Sequence, residues 1–209
     1  MGSMERLKRQ LDFAAEAGRL KGVLRQTVLA DPERPENSAE HSWHLALMAL
    51  ALAEYAPEGT DISVVISMVV LHDLVEVDAG DLSVYAPADA LARQHAAERA
   101  AADRLFSLLP ADQGSELRAL WDQFEERATP EARFARALDR LQPMLENVQV
   151  GGGTWQAQGV TADRVLEKVQ LIEDGSAALG RYARQLIERA VQDGILAPAP
   201  CAASRPARA

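Results

Sequence analysis

The sequence predicts an all-α helical bundle built around one central buried helix. Three observations carry this. Ala, Leu, Glu and Arg dominate a chain with 48% hydrophobic but only 5% aromatic residues, a composition that favours helix. Apolar residues recur at three- and four-residue intervals along most of the chain, with almost no strand-type alternation. The segment Ile62 to Val77 is apolar on nearly every side, the mark of a helix enclosed all round.

The elements follow in order. A first helix runs from Glu5 to Ala17, with Leu7, Leu11 and Ala14 or Ala15 on one face, and stops at Gly18. A short second helical piece is expected over Leu20 to Val28. Asp31 to Glu36, with two prolines and four charges, reads as a loop. Asn37 or Ser38 then caps a long helix that carries His41 and His44 and ends near Pro57-Glu58-Gly59; Glu40 sits in its first turn. Thr60-Asp61 starts the apolar helix, which Asp78-Ala79-Gly80-Asp81 breaks. Further helices are expected over Pro87 to Leu109 and Ala111 to Arg127. Another begins at Thr129-Pro130-Glu131, with proline in its first turn, and ends at Gly151-Gly152-Gly153. One or two more fill the stretch from Thr161 or Ala162 to Gly194, broken near Gly175. Met1-Gly2-Ser3 reads as a cloning remnant ahead of a natural start at Met4. Residues 4–194 should form one domain, and 195–209, rich in Ala, Pro and Arg, a disordered tail.

Composition removes several function classes. A formal net charge of −9 argues against a nucleic-acid surface, which needs a basic footprint. It leaves room for a small anionic substrate, because a metal and one or two arginines reverse the sign locally. The single cysteine, Cys201, excludes an intrachain disulfide. No apolar run is long enough for a membrane span, and no signal peptide is visible. These features predict a cytoplasmic protein.

The chemistry concentrates at His72-Asp73. An imidazole and a carboxylate side by side in an apolar helix are costly to bury, and a divalent metal would compensate both. His41 and Asp139 lie in similarly apolar surroundings, so the order is His, then His-Asp, then Asp. Adjacent residues on a helix point about 100° apart, so one ion would sit at the helix flank with His41 and Asp139 reaching it from neighbouring helices. Two nitrogen and two oxygen donors suit Mn, Co, Ni, Mg or Fe and leave room for water.

Three segments carry a resemblance: Arg34-Pro35-Glu36-Asn37-Ser38-Ala39-Glu40-His41-Ser42, then His72-Asp73-Leu74-Val75-Glu76-Val77-Asp78-Ala79-Gly80-Asp81, then Ala137-Leu138-Asp139. Over roughly residues 5 to 190 the chain resembles the HD superfamily of metal-dependent phosphohydrolases, most closely its 5′-deoxynucleotidase-like branch. The resemblance implies one divalent metal held by His41, His72, Asp73 and Asp139. It also implies Glu76 as general acid or base, Asp81 in the substrate pocket and at the chemistry, and a homodimer. Bacterial enzymes of that branch carry an Arg-Trp pair that contacts phosphate and selects deoxyribose. Here Arg25 matches the arginine, but Gln26 follows it, which leaves the sugar preference open. Trp43, two residues after His41, is a further candidate for stacking on a base.

The expected function is therefore a phosphomonoesterase acting on nucleoside 5′-monophosphates. A di-iron oxygenase is the main alternative in chemistry, but with His44 and His95 as the remaining histidines it is short of ligands. His44 reads better as a residue behind the site, and His95 as a solvated helix residue. A silent metal-binding or ligand-sensing protein would need neither Glu76 nor Asp81. Hydrolysis of a guanosine polyphosphate is a lesser alternative.

Overall fold

The computed structural model describes residues 2–30 and 33–200. Its elements are ten α-helices and one two-stranded sheet, joined by short 3-10 turns. Helix α1 (Ser3–Ala17) buries no residue completely and lies along α5 (Ala88–Ser107). Arg9 fixes it there by donating to the carbonyls of Ser107 and Leu108 at 2.5 and 2.9 Å. These are end-of-helix carbonyls, where a cation is favoured.

The chain then departs from the helical expectation. After a 3-10 turn over Gly18–Gly22, β1 (Leu24–Ala30) pairs antiparallel with β2 (Glu33–Asn37). The expected second helix over Leu20 to Val28 was too short to stand without packing. Thr27 and Val28 are β-branched, and Pro35 sits on a two-stranded ribbon where it interrupts no interior ladder. Of the loop expected over Asp31 to Glu36, Glu33 to Glu36 belong to β2 instead, and Asp31-Pro32 lie outside the described residues. Pairing is irregular between Leu24 and Val28, and the side chains alternate against their hydrophobicity. Leu24 is 60% exposed, while Arg25 and Thr27 turn inward. An arginine inside and a leucine outside mark a strand shaped by its site.

Helix α2 (Ser38–Ala51) opens on a reciprocal cap. The Asn37 side chain accepts from the Ala39 and Glu40 amides, and the Glu40 carboxylate accepts from the Asn37 amide at 2.7 Å. Asp61 caps α3 (Ile62–Leu71) by accepting from Ser63 N. The expected continuous helix to Val77 is divided. His72 is the C-cap of α3, a tight turn follows, and α4 (Glu76–Ala79) ends at Gly80 with φ of 71°.

Helices α5 and α6 (Ala111–Glu126) pack Ala101, Ala102, Leu105, Phe106 and Trp121 against Leu71, Leu74 and Val75, next to the His-Asp pair. The larger core joins α2, α3 and α7 (Pro130–Gln149) to α9 (Ala162–Gly175) and α10 (Ala177–Gln192). Helix α3 packs into this core with Val65, Met68 and Val69 fully buried, but it is not enclosed all round as expected: Val70 is 49% exposed. Helix α7 is enclosed still further, touching α2, α3, α6, α9, α10, β1 and the short α8 (Gly153–Ala157). Gly175 ends α9 against Arg133 and Ala137 of α7, with no room there for a Cβ. Residues 195–197 do not behave as the expected disordered tail: Leu196 is buried, and Ala162 N donates to Ala197 O at 2.9 Å. Residues 201–209 lie outside the described residues.

Candidate metal centre and active site

Three elements bring the ligand candidates together. His41 comes from the second turn of α2, His72 and Asp73 from the end of α3, and Asp139 from the middle of α7. His41, His72 and Asp73 each offer a ligand atom, all within 4.8 Å of one another. Asp139 Oδ1 lies 3.3 Å from His41 Nε2 and 3.7 Å from His72 Nε2. Because the helix ends at Leu71, the turn lets His72 Nε2 and Asp73 Oδ1 approach to 3.0 Å.

Both imidazoles are oriented from behind. His41 Nδ1 lies 3.1 Å from Gln142 Oε1, and His72 Nδ1 lies 2.8 Å from the Val69 carbonyl. Each Nδ1–H is therefore held from behind, and each Nε2 is turned toward Asp73 and Asp139. His72 Nε2 is buried with no hydrogen-bond partner among the described residues. Burial opposes a charge on His72, yet Asp73 and Asp139 push its pKa up to about 10. The same field would hold a cation at that point. Burial and Arg25 pull His41 down to about 4, so it stays neutral, as a ligand must. The donor set and the unpartnered nitrogen fit a divalent metal held by His41, His72, Asp73 and Asp139.

Around this cluster stand the acid groups. Glu76 is buried and accepts from Ser38 Oγ at 2.5 Å. Burial and the neighbouring Asp73 raise its pKa to about 9. Asp81 accepts from the Gln26 amide at 3.1 Å, and burial raises its carboxyl despite Arg25. Arg25 is engaged by several of these groups. It lies 2.7 Å from Asp73 and 3.2 Å from Glu36, with Asp81 at 3.9 Å. Burial pushes Glu36 up to about 7, even beside Arg25. A cavity of about 290 Å³ opens over Arg25, His72, Asp73, Glu76, Asp81 and Asp139.

Comparison with known proteins identifies the family of this fold. A family model described as HD domain matches residues 17–179. The chain belongs to the HD domain family. The 5′-deoxynucleotidase HDDC2 of Xenopus laevis is 33% identical over 145 residues, covering 68% of this chain and 69% of that protein. The human protein of the same name is 30% identical over 65% of each chain. The chain thus matches about two thirds of these relatives' length. A crystal structure from Magnetospirillum magnetotacticum, described as a predicted metal-dependent phosphohydrolase, is 52% identical. It superposes with a TM-score of 0.88 over 92% of this chain and 96% of that one. A Pyrococcus horikoshii protein, 22% identical over 88% of this chain and 99% of its own, shares the fold with a TM-score of 0.61.

Within this HD domain, one expected site residue does not reach the cavity. Trp43 is 65% exposed on the outer face of α2 and lines neither it nor the adjoining pocket. Two residues along a helix is a rotation of about 200°, so a residue next but one to a ligand points away from it. His44 stands behind the site, 3.3 Å from Gln142 Nε2. His95 is largely exposed at the cavity mouth, paired with Glu98 at 3.4 Å.

Other residues of the site escaped sequence reasoning. Gln142 links His41 to Glu36, donating to Glu36 Oε1 at 2.9 Å. Ser38 holds Glu76. Arg136, Arg140 and Lys168 bring positive charge to the cavity wall. Arg136 is committed to Asp139 and Glu125, at 3.2 and 2.8 Å, and lies over the Phe124 ring. A signal was present: Arg136, Asp139 and Arg140 occupy nearly one face of a helix whose other faces are apolar.

Proposed function

We propose that this HD-domain protein is a metal-dependent phosphohydrolase that releases phosphate from nucleoside 5′-monophosphates. One observation carries the reading: His41, His72 and Asp73 gather into a candidate metal group with Asp139 against both imidazoles, beside a cavity lined by buried Glu76 and a wall of cations. The relatives named 5′-deoxynucleotidase support it and suggest deoxyribonucleotides among the substrates.

A divalent ion bound by His41, His72, Asp73 and Asp139 would polarise a phosphoryl oxygen and lower the pKa of nearby water. The chain's own residues do the rest. Glu76 is the group to take a proton from the attacking water and to give one to the departing 5′-alkoxide. Ser38 holds that carboxyl in place. Asp81, anchored by the Gln26 amide, faces the substrate and orients a hydroxyl or water. Arg25 lines the same cavity and balances phosphate charge.

A homodimer belongs to the same proposal. Trp43, Leu47 and Leu50 form an apolar strip along α2 with exposures of 65, 49 and 62%, a surface suited to an isologous contact. No described helix is long and apolar enough to cross a membrane; the cytoplasm remains the proposed location. A panel of ribo- and deoxyribonucleoside monophosphates, tested with Mn, Co, Ni, Mg and Fe and read by phosphate release, tests the reading. Turnover of nucleoside monophosphates that vanishes with chelator is expected. Metal-loaded protein inert toward every member of the panel would overturn it.

A further inference from the structure

The cations that line the site are not equally engaged by its carboxylates. Arg25 is engaged by Asp73 and Glu36, and Arg136 by Asp139 and Glu125. Arg25 and Arg136 each donate hydrogen bonds to these carboxylates. Arg140 makes no such bond among the described residues: Asp139 Oδ2 is 3.4 Å from its Nη2, and its Nε, like those of Arg25 and Arg136, is buried without a hydrogen-bond partner. Lys168 reaches the same space from α9 and takes part in none of the ion pairs among the described residues. Both residues line the cavity over the metal ligands and also the adjoining pocket beside Thr27, Met144 and Trp155, so they stand where the two meet.

A buried guanidinium nitrogen without an acceptor is costly. Placing an ammonium beside it adds like-charge repulsion. Burial and Arg140 together pull the Lys168 pKa below its usual value. Both costs are relieved by one anion with several acceptor oxygens. Asp139, one residue from Arg140, lies against both ligand histidines, so that anion would lie next to the metal cluster.

We propose that Arg140 and Lys168 form an oxyanion-binding station that receives the phosphoryl oxygens of the substrate and of the phosphate product. The proposal rests on the phosphomonoesterase reading and adds two binding residues to it, one from α7 and one from α9. Arg140 presents a planar fork, Lys168 a point charge with three donors, and a tetrahedral dianion can use both at once.

Inorganic phosphate is the probe, with binding to metal-loaded protein measured by calorimetry. Lys168→Gln is expected to weaken phosphate binding roughly 10-fold, and Arg140→Gln by 10-fold or more. Arg140→Lys, which keeps the charge in a largely buried place, should recover part of that loss. Metal stoichiometry and melting temperature of Lys168→Gln should match those of the parent. In turnover assays KM should rise equally for a nucleoside monophosphate and for p-nitrophenyl phosphate, which has no nucleoside. Unchanged phosphate affinity in both Gln variants, or no phosphate binding by the parent at millimolar concentration, would overturn the station. A KM effect confined to the nucleotide would also overturn it, because the two residues would then serve the base or sugar. If phosphate binding falls as expected while no nucleotide is hydrolysed, the station stands and the nucleotidase reading fails.

Discussion

Gln142 Oε1 lies 3.1 Å from His41 Nδ1 and so determines which nitrogen of that imidazole faces the carboxylates. The two residues come from different helices, α2 and α7, and both are fully buried. Gln142→Met keeps the volume and removes the acceptor. We expect a 10- to 100-fold loss of metal affinity with the helical circular dichroism spectrum retained. Metal titration against a competing chelator measures it, and unchanged affinity would refute the orienting role.

Asp73→Ala removes a proposed ligand and the partner of both His72 and Arg25. The expected result is loss of bound metal and of turnover. Elemental analysis of protein purified without chelator checks the first. A variant that keeps both metal and activity would mean that the site is misassigned.

Glu76→Gln preserves shape and hydrogen-bonding reach but not proton transfer. Turnover should drop on the order of 10²-fold or more at unchanged metal content. If the carboxyl only supported the fold, the variant would instead melt earlier and keep its turnover per folded molecule.

Ser38→Ala tests the same carboxyl from outside. The Ser38 hydroxyl stabilises the charged form of Glu76. Its removal should raise the Glu76 pKa further and move the alkaline limb of the kcat/KM profile to higher pH. An unmoved limb would separate Glu76 from that limb.

Metal-free protein should lose stability between pH 7 and 9. Burial with Asp73 raises Glu76 from 4.5 to about 9, and Asp73 with Asp139 raises His72 from 6.5 to about 10. Over this window the folded chain keeps protons that the unfolded chain has released, so rising pH favours unfolding. Melting temperatures in chelator should fall across the window, and fall less in Glu76→Gln. A flat profile would contradict the raised values.

The sequence by itself determined the helical bundle, helix starts at Asn37 or Ser38, at Thr60-Asp61 and at Thr129, and the candidates His41, His72, Asp73 and Asp139, with Glu76 and Asp81 added by the resemblance. These depend on residue type and short spacing. A cap is a local hydrogen bond, and a polar pair in an apolar run is costly enough to stand out. Only the tertiary structure decided that Leu24 to Asn37 is a ribbon, because a short segment takes whichever pairing its neighbours complete. It also turned Trp43 outward, ended α3 at Leu71 to aim the His-Asp pair, placed Gln142 behind His41, and brought Lys168 across to Arg140. Each of these contacts joins residues from different elements, and their meeting is set by how helices pack rather than by any periodicity along the chain.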